Sequence, residues 1–225
     1  MTLLLAVDTS GKNGSLALTR SAPDSSRINV LEVVPLAGGV FSAELVPQIA
    51  ALLEKHGHTK NDLGAFVVVS GPGSFTGLRV GLAAIKALAE ALQKPIVAMS
   101  LLEAVACSVT GHGRVLAALD AGRGDVYIGD YQLDPHVHMH RERLLSLEEF
   151  LAAASGRIVV TPDSGLAEVV RAAGLHVEQI VHPNSGVIAQ LGWQHLKRGE
   201  TVRPEELEAN YLRHSDAEIF SKPAP

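Results

Sequence analysis

Two short turns carry the residues whose types suggest chemistry. Asp8, Thr9 and Ser10 follow one apolar run, and a similar turn with Asp120 and Gly122 follows a second apolar run. A carboxylate beside hydroxyl groups can hold a hydrated metal ion and a phosphate, whereas an ordinary polar turn explains the same residue types. The repetition favours an ancestral pair of nucleotide-binding loops, whether or not the loops still bind.

A glycine-rich segment from Gly71 to Gly77 lies between a predicted buried strand and a predicted helix. Backbone N–H groups around Gly73 and Ser74 would face an anion at the N-terminus of that helix. The spacing, however, fits neither the dinucleotide-binding pattern nor a P-loop. The alternative is a tight turn in which Ser74 caps the helix and Gly77 permits close packing.

Three histidines, His136, His138 and His140, alternate along a predicted strand. Their imidazoles could bind zinc or copper from one face of the strand. Asp134 is near, but no acid or cysteine stands at ligand spacing, so exposed histidines on an edge strand are the favoured interpretation. The single cysteine, Cys107, excludes an internal disulfide and a multi-cysteine metal site.

Apolar periodicity predicts the elements that position these turns. Residues 1–108 contain three strands, a helix, a strand, a helix and a strand, which describes an α/β lobe. Residues 109–184 repeat the hairpin and the Asp-bearing turn, and Ser146 with Glu149 forms a capping box for a helix. A C-terminal helix, at about 185–213, has no sheet of its own and is expected to pack back on the first lobe. We therefore predict an α/β protein with two related lobes, each a mixed sheet flanked by helices.

Composition narrows the function classes. The chain has 225 residues with a net charge of −5, and the acidic excess lies wholly beyond residue 105. Proteins that bind nucleic acid on their own are usually basic, so this class is disfavoured. The N-terminus reaches Asp8 too early for a signal peptide, and no apolar run approaches the ~20 residues of a membrane span. We expect a cytoplasmic protein without membrane contact.

The helix predicted at 74–92 has two apolar stripes, one of small and one of large residues, where a surface helix has one. Two buried sides follow, of which one faces the sheet and the other faces either the chain itself or a partner subunit. With the helix at 41–56 as neighbour, the predicted partner interface comprises Phe41, Leu45, Ile49, Leu52, Gly77, Leu78, Gly81, Leu82 and Ile85. On this hypothesis, Leu82→Glu or Gly81→Arg weakens association while the lobe still folds.

Three segments together resemble the bacterial TsaB family in their order and spacing. They are LLLAVDTSGKNGSLAL at 3–18, SGPGSFTGLRVGLAAIKALA at 70–89 and ALDAGRGDVYIGDY at 118–131. The resemblance covers essentially the whole chain, and Tyr211 to Arg213 look like the closing motif of the family. It implies an actin-like ATPase (ASKHA) fold, in agreement with the two predicted lobes.

The resemblance also implies a function. The family supports a tRNA modification that attaches a threonylcarbamoyl group to the adenosine beside the anticodon, in tRNAs that read codons beginning with A. The implied catalyst is the paralogue TsaD, and the P-loop ATPase TsaE completes the complex, so ATP and a divalent metal belong to those partners. TsaD holds its metal with a His-x-x-x-His helix. Leu101 and Val105 stand at the aligned positions here, and neither side chain can bind a metal.

Two hypotheses therefore stay open. The first is a non-catalytic scaffold and activator with no cofactor of its own, which binds a TsaD-like paralogue and reaches tRNA through the complex. On this hypothesis the free chain is either a homodimer or a monomer. The second is an actin-like ATPase or phosphotransferase that uses Asp8 and Asp120, with a weaker form in which nucleotide binds only at a shared interface. A peptidase is disfavoured because no nucleophile or metal site stands out.

Overall fold

The computed structural model describes residues 1–22, 24–109, 111, 113–133 and 137–213. Two five-stranded mixed sheets, flanked by helices, make up most of this part of the chain. The central strands are almost continuously apolar because both of their faces are covered.

The strands of the first sheet are β1 (Thr2–Asp8), β2 (Asn13–Ser21), β3 (Asn29–Ala37), β4 (Leu63–Gly71) and β5 (Ile96–Ser100). Their order is β3-β2-β1-β4-β5, in which β2 is antiparallel to both neighbours and β1, β4 and β5 are parallel. Helix α1 (Phe41–Lys55) follows β3, α2 (Phe75–Leu92) follows β4, and α3 (Leu101–Ala106) follows β5.

The second sheet repeats this plan. Its strands are β6 (Arg114–Gly122), β7 (Asp125–Gln132), β8 (His138–Ser146), β9 (Ile158–Thr161) and β10 (Val177–Gln179). Their order, β8-β7-β6-β9-β10, has the same sequence of antiparallel and parallel pairs. Helix α4 (Leu147–Ala154) begins at the predicted capping box, and α5 (Ser164–Ala172) joins β9 to β10. The prediction of an actin-like fold with two related lobes is confirmed. The sequence analysis missed β10, because a strand of three residues is too short to show an alternation of apolar and polar residues.

The last helix, α6 (Ser185–Lys197), packs on the first sheet. Gly192 makes the close approach possible, since a Cβ there would lie 2.5 Å from a methyl group of Val67. The helix ends at Lys197, so the prediction of a helix up to residue 213 was too long. Beyond it, Val202 bridges to Ile96, and the chain continues to Arg213 with one turn of 3₁₀ helix. We call β1–β5 with α1, α2 and α6 the first lobe, and β6–β10 with α4 and α5 the second lobe.

Helix α3 joins the two lobes. It contacts β4 and β5 on one side and β6, β7 and β9 on the other, and the largest apolar cluster contains residues of both sheets. Leu102 and Val105 are fully buried in this cluster. None of the helices in the described part of the chain has the length and apolar character that crossing a membrane requires.

Candidate functional site

The turn after β1 is ordered by its own side chains. Oδ1 of Asp8 accepts hydrogen bonds from the backbone N–H of Ser10, at 2.8 Å, and from its hydroxyl, at 2.6 Å. The Asp8 side chain is only 2% exposed, and this burial raises the pKa of its carboxyl group, although the bonds from Ser10 and the nearby His182 oppose the rise.

The glycine segment packs against this turn. The hydroxyl of Thr9 donates to the carbonyl oxygen of Gly77 at 2.8 Å, and the N–H of Ser74 donates to the carbonyl oxygen of Ser10 at 2.6 Å. A Cβ at Gly73 or Gly77 would come under 3.0 Å from the backbone oxygen of Ser10 or Thr9. Ser74 also caps α2 by accepting from the N–H of Gly77 at 3.3 Å. The N–H groups of Ser74 and Gly77 are therefore bonded within the chain, as the tight-turn interpretation predicts.

The second Asp-bearing turn lies across a cleft from the first. Asp8 and Asp120 both line a cavity of about 650 Å³ between the lobes, which we call the interlobe cleft. Asp120 is exposed, accepts from the N–H of Gly122 at 2.8 Å, and donates its own N–H to Asp163 at 2.8 Å. The structure thus brings the two predicted turns together. It adds Asp163 and His182 to the cleft, which sequence reasoning missed although Asp163 stands just after β9, at the end of an inner strand.

Helix α3 contains the two positions that the resemblance aligns with the metal-binding histidines of TsaD, and both positions carry apolar side chains. Leu101 is 4% exposed and lines the interlobe cleft, and Val105 is fully buried. No group of three or more histidine, cysteine or acidic side chains that could hold a metal ion occurs among the described residues. Helix α3 therefore contributes packing between the lobes.

The predicted interface residues need correction. All nine are buried within the chain's own first lobe, namely Phe41, Leu45, Ile49, Leu52, Gly77, Leu78, Gly81, Leu82 and Ile85. Gly81 packs against Thr9, since a Cβ there would lie under 3.0 Å from Oγ1 of Thr9. The stripe of large residues and the glycines of the small-residue stripe thus face the chain's own interior, while Ala91, at the end of the small-residue stripe, is exposed. Gly81→Arg and Leu82→Glu would disrupt the lobe itself, so they do not test association.

A different face of the same helices is exposed. Ala83 and Ala87 lie at the centre of the outward face of α2, and Val46 and Ala50 lie on the outward face of α1. The Val46 side chain is 57% exposed. We call these four residues the outer helix face. An apolar groove of about 420 Å³ lies at one end of the helix pair, where Phe41, Ser42, Thr76 and Val80 are among its lining.

Two of the three histidines lie on an exposed edge strand, as the favoured interpretation predicts. His138 and His140 are exposed on β8, the edge strand of the second sheet, with ring centroids 5.1 Å apart. His136 lies outside the described residues.

The single cysteine is not activated. Burial, with a smaller effect of Glu103, raises the pKa of the Cys107 thiol to about 12. A thiol with so high a pKa is a poor nucleophile.

Comparisons with known proteins agree with this geometry. The sequence model described as TsaD, tRNA N6-adenosine threonylcarbamoyltransferase, matches residues 33–162, which is more than half of the chain. The tRNA threonylcarbamoyladenosine biosynthesis protein TsaB of Escherichia coli (strain K12) is 28% identical over 95% of this chain and 96% of its own length. TsaB of Bacillus subtilis (strain 168) is 36% identical over 57% of this chain and 55% of its own. The solved structure of YeaZ from Pseudomonas aeruginosa, 28% identical, covers 94% of this chain and 100% of its own, with a TM-score of 0.75.

The repeated sheet topology and the matched segment define a two-lobed actin-like protein of the threonylcarbamoyltransferase family, to which the chain belongs. Within that family, it belongs to the TsaB family. The resemblance that the three sequence segments indicated is thereby confirmed.

Proposed function

We propose that this chain takes part in the biosynthesis of threonylcarbamoyladenosine in tRNA as a non-catalytic subunit, and that it binds and stabilises a TsaD-like catalytic paralogue. Its relatives in Escherichia coli and Bacillus subtilis are named as biosynthesis proteins of this modification. The internally bonded turns at Thr9 and Ser74 and the apolar Leu101 and Val105 support a role without chemistry of its own.

The observation that carries the proposal is the outer helix face. A surface helix normally turns charged residues outward, yet alanine stands at the centre of the outward face of α2, and Val46 and Ala50 on that of α1. Small side chains allow a second helix pair to approach closely. Arg79 and Glu90 flank the alanines on one side and would form a polar rim. A helical surface of the paralogue, or a second copy of this chain when the paralogue is absent, fits this face.

The other components follow from that assignment. ATP and a divalent metal would bind to the partner subunits, which include a TsaE-like ATPase, and the tRNA would be reached through the complex. The acidic excess beyond residue 105 supports this division, because the basic surface that tRNA needs would come from the partners. The complex would modify tRNA in the cytoplasm.

Charged substitutions on the outer helix face test the proposal. Ala83→Glu and Ala87→Glu should weaken binding to the purified paralogue by at least about tenfold, since each buries an unpaired charge at the interface. Both positions are exposed, so the midpoint of unfolding should hardly change. Ala152→Glu, on the exposed side of α4, is the matched control. Full binding and full tRNA modification with both α2 variants would contradict the proposal.

The second candidate, an ATPase or phosphotransferase, is favoured by one observation. The interlobe cleft places Asp8 and Asp120 on the two sides of one cavity. Titration of the isolated chain with magnesium and ATP separates the candidates. A nucleotide present at 100 times its dissociation constant would raise the free energy of unfolding by about 2.7 kcal/mol. We expect no such rise at millimolar ATP, because the N–H groups of Ser74 and Gly77, at the start of α2, are already bonded within the chain.

A further inference from the structure

We infer that the segment Leu207–Arg213, which we name the C-terminal strap, is a clamp that holds the two lobes at one fixed angle. The strap follows the last helix of the first lobe and crosses to the turn between β6 and β7 in the second lobe. This inference does not rest on the proposed function, since it involves only contacts within the chain.

The strap is anchored on the first lobe by its backbone. The N–H of Asn210 donates to the carbonyl oxygen of Ser70 at 2.8 Å, at the end of β4. The strap lies so close to Gly71 that a Cβ there would be 2.6 Å from the carbonyl oxygen of Asn210. Leu207 is buried in the largest apolar cluster, which contains residues of both sheets.

Helix α2 adds a second anchor on the same lobe. Nε of Arg79 donates to the hydroxyl of Tyr211 at 3.1 Å, and the Tyr211 ring packs on that of Phe75 with centroids 5.0 Å apart. The guanidinium of Arg79 also lies 3.6 Å from the centre of the Phe75 ring. The strap is therefore tied both to the sheet and to α2.

Side chains of the strap reach the second lobe. Nη2 of Arg213 donates to Oδ2 of Asp125 at 2.8 Å and to the carbonyl oxygen of Gly122 at 3.1 Å. Nδ2 of Asn210 donates to Oε2 of Glu142 at 2.6 Å. Oε1 of the same carboxylate accepts from Tyr131, on the second sheet. Asn210 thus bonds one lobe through its backbone and the other through its side chain.

The strap adds most of the directional contacts between the lobes. The packing of α3 between the sheets is mainly apolar, and apolar contact has no preferred direction, so it permits small rotations of one lobe on the other. One hydrogen bond between the lobes lies outside the strap, because the hydroxyl of Ser100, which caps α3, donates to Oε1 of Glu142. Hydrogen bonds are directional, and those to charged groups are the strongest of them. Proteins with a cleft between two lobes commonly move by hinge closure. The strap restrains that motion here.

Distances between spin labels test the clamp in the full-length chain. Labels at Glu54→Cys on α1 and Ala152→Cys on α4 report the separation of the lobes, because both positions are exposed. The native Cys107, with a thiol pKa of about 12, competes poorly for the label. The double variant Asn210→Ala with Arg213→Ala should broaden the distribution of distances between the labels. Hydrogen exchange of the backbone amides in 207–213 should also become about tenfold faster or more, which is the effect expected from losing a hydrogen bond to a charged group.

A matched control separates the clamp from a general effect of losing an arginine. Among the described residues, Arg203 bonds Glu205 and Glu206 of its own segment and no residue of the second lobe, so Arg203→Ala should leave the distances unchanged. Unchanged distances in the double variant would overturn the inference. If the double variant does not fold, the same measurement on Arg213→Gln decides, because glutamine is shorter and uncharged and loses the ion pair with Asp125. A distribution as narrow as in the native chain would then overturn the clamp.

Discussion

The hydroxyl group of Thr9 occupies the space that a β-carbon on Gly81 would need. The same hydroxyl donates a hydrogen bond to the carbonyl oxygen of Gly77, one turn earlier on α2. The turn after β1 is thereby seated directly on the small-residue stripe of α2. Glycine is required at 77 and 81 because these positions pack against the turn. Phosphate binding would require free N–H groups, but the N–H groups of Ser74 and Gly77 already form hydrogen bonds within the chain.

Gly81→Ala should therefore destabilise the chain. In an open helix the same change is worth about 1 kcal/mol in favour of alanine. At Gly81 the overpacking against Thr9 should reverse the sign and lower the free energy of unfolding by about 1–3 kcal/mol. Gly165→Ala in the first turn of α5 is the control, since nothing lies within 4 Å of its Cβ position. Denaturant titration of both variants gives the comparison, and equal effects would contradict the packing argument.

His195 should make stability depend on pH near neutrality. Nε2 of His195 contacts Glu103 of α3 at 2.7 Å, and Nδ1 contacts Glu200 at 2.6 Å. Burial works to lower the pKa of this histidine, but the two carboxylates outweigh it, and the pKa is raised above its ordinary 6.5. The folded state therefore binds the proton more tightly than the unfolded state does. The added stability is full below pH 6.5 and is lost as the pH rises through the folded-state pKa.

Comparison with His195→Gln isolates this contribution. The native chain should be more stable than the variant at pH 6 by about 1 kcal/mol, and the difference should shrink towards pH 9. Denaturant titration at several pH values measures it. The corresponding change at an exposed histidine, His140→Gln, should leave the free energy of unfolding almost unchanged. A difference that stays constant from pH 6 to pH 9 would show that His195 does not titrate in this range.

The fold could be predicted from the sequence because local signals and the lobe pattern agree. Buried strands such as β4 are short apolar runs bounded by glycine, and the box of Ser146 and Glu149 marks the start of α4. The hairpin with its aspartate recurs at Asp8 and Asp120, which revealed the duplication. These signals depend on residues close together in the chain, so one sequence is enough to recognise them.

The orientation of α2 could not be predicted in the same way. Its large apolar stripe and its small-residue stripe both looked able to face a partner. Which stripe faces the interior depended on Thr9, which is 72 residues from Gly81 in the chain. In the folded chain, the Thr9 side chain occupies the space beside Gly81. The outward-facing Ala83 and Ala87 carry no strong signal, because alanine is common on buried and exposed faces alike. The strap was missed for a similar reason, since Asn210 and Arg213 acquire meaning only through Glu142 and Asp125, far away in the sequence.

Asp8→Asn should stabilise the chain at neutral pH. Burial raises the pKa of the Asp8 carboxyl above its ordinary value near 3.8, so the folded state holds the proton more tightly than the unfolded state does. As the pH rises from 3.8 to the folded-state pKa, the unfolded chain loses the proton first and stability falls. Above the folded-state pKa this loss is constant. Asparagine keeps the oxygen that accepts from Ser10 and carries no charge, so it avoids the loss.

The free energy of unfolding of the Asp8→Asn chain should exceed that of the native chain by about 1–3 kcal/mol at pH 7, because the native chain then buries a charge that the two hydrogen bonds from Ser10 offset only in part. The excess should decrease as the pH is lowered towards 4. Denaturant titrations of both chains at matched pH values measure this difference, in which the contributions of all other groups cancel. Asp120→Asn is the matched control in the second lobe and should change stability little, because Asp120 is exposed. A destabilised Asp8→Asn chain at pH 7 would mean that the charged carboxylate is favoured in the cleft, as a site for a cation would require.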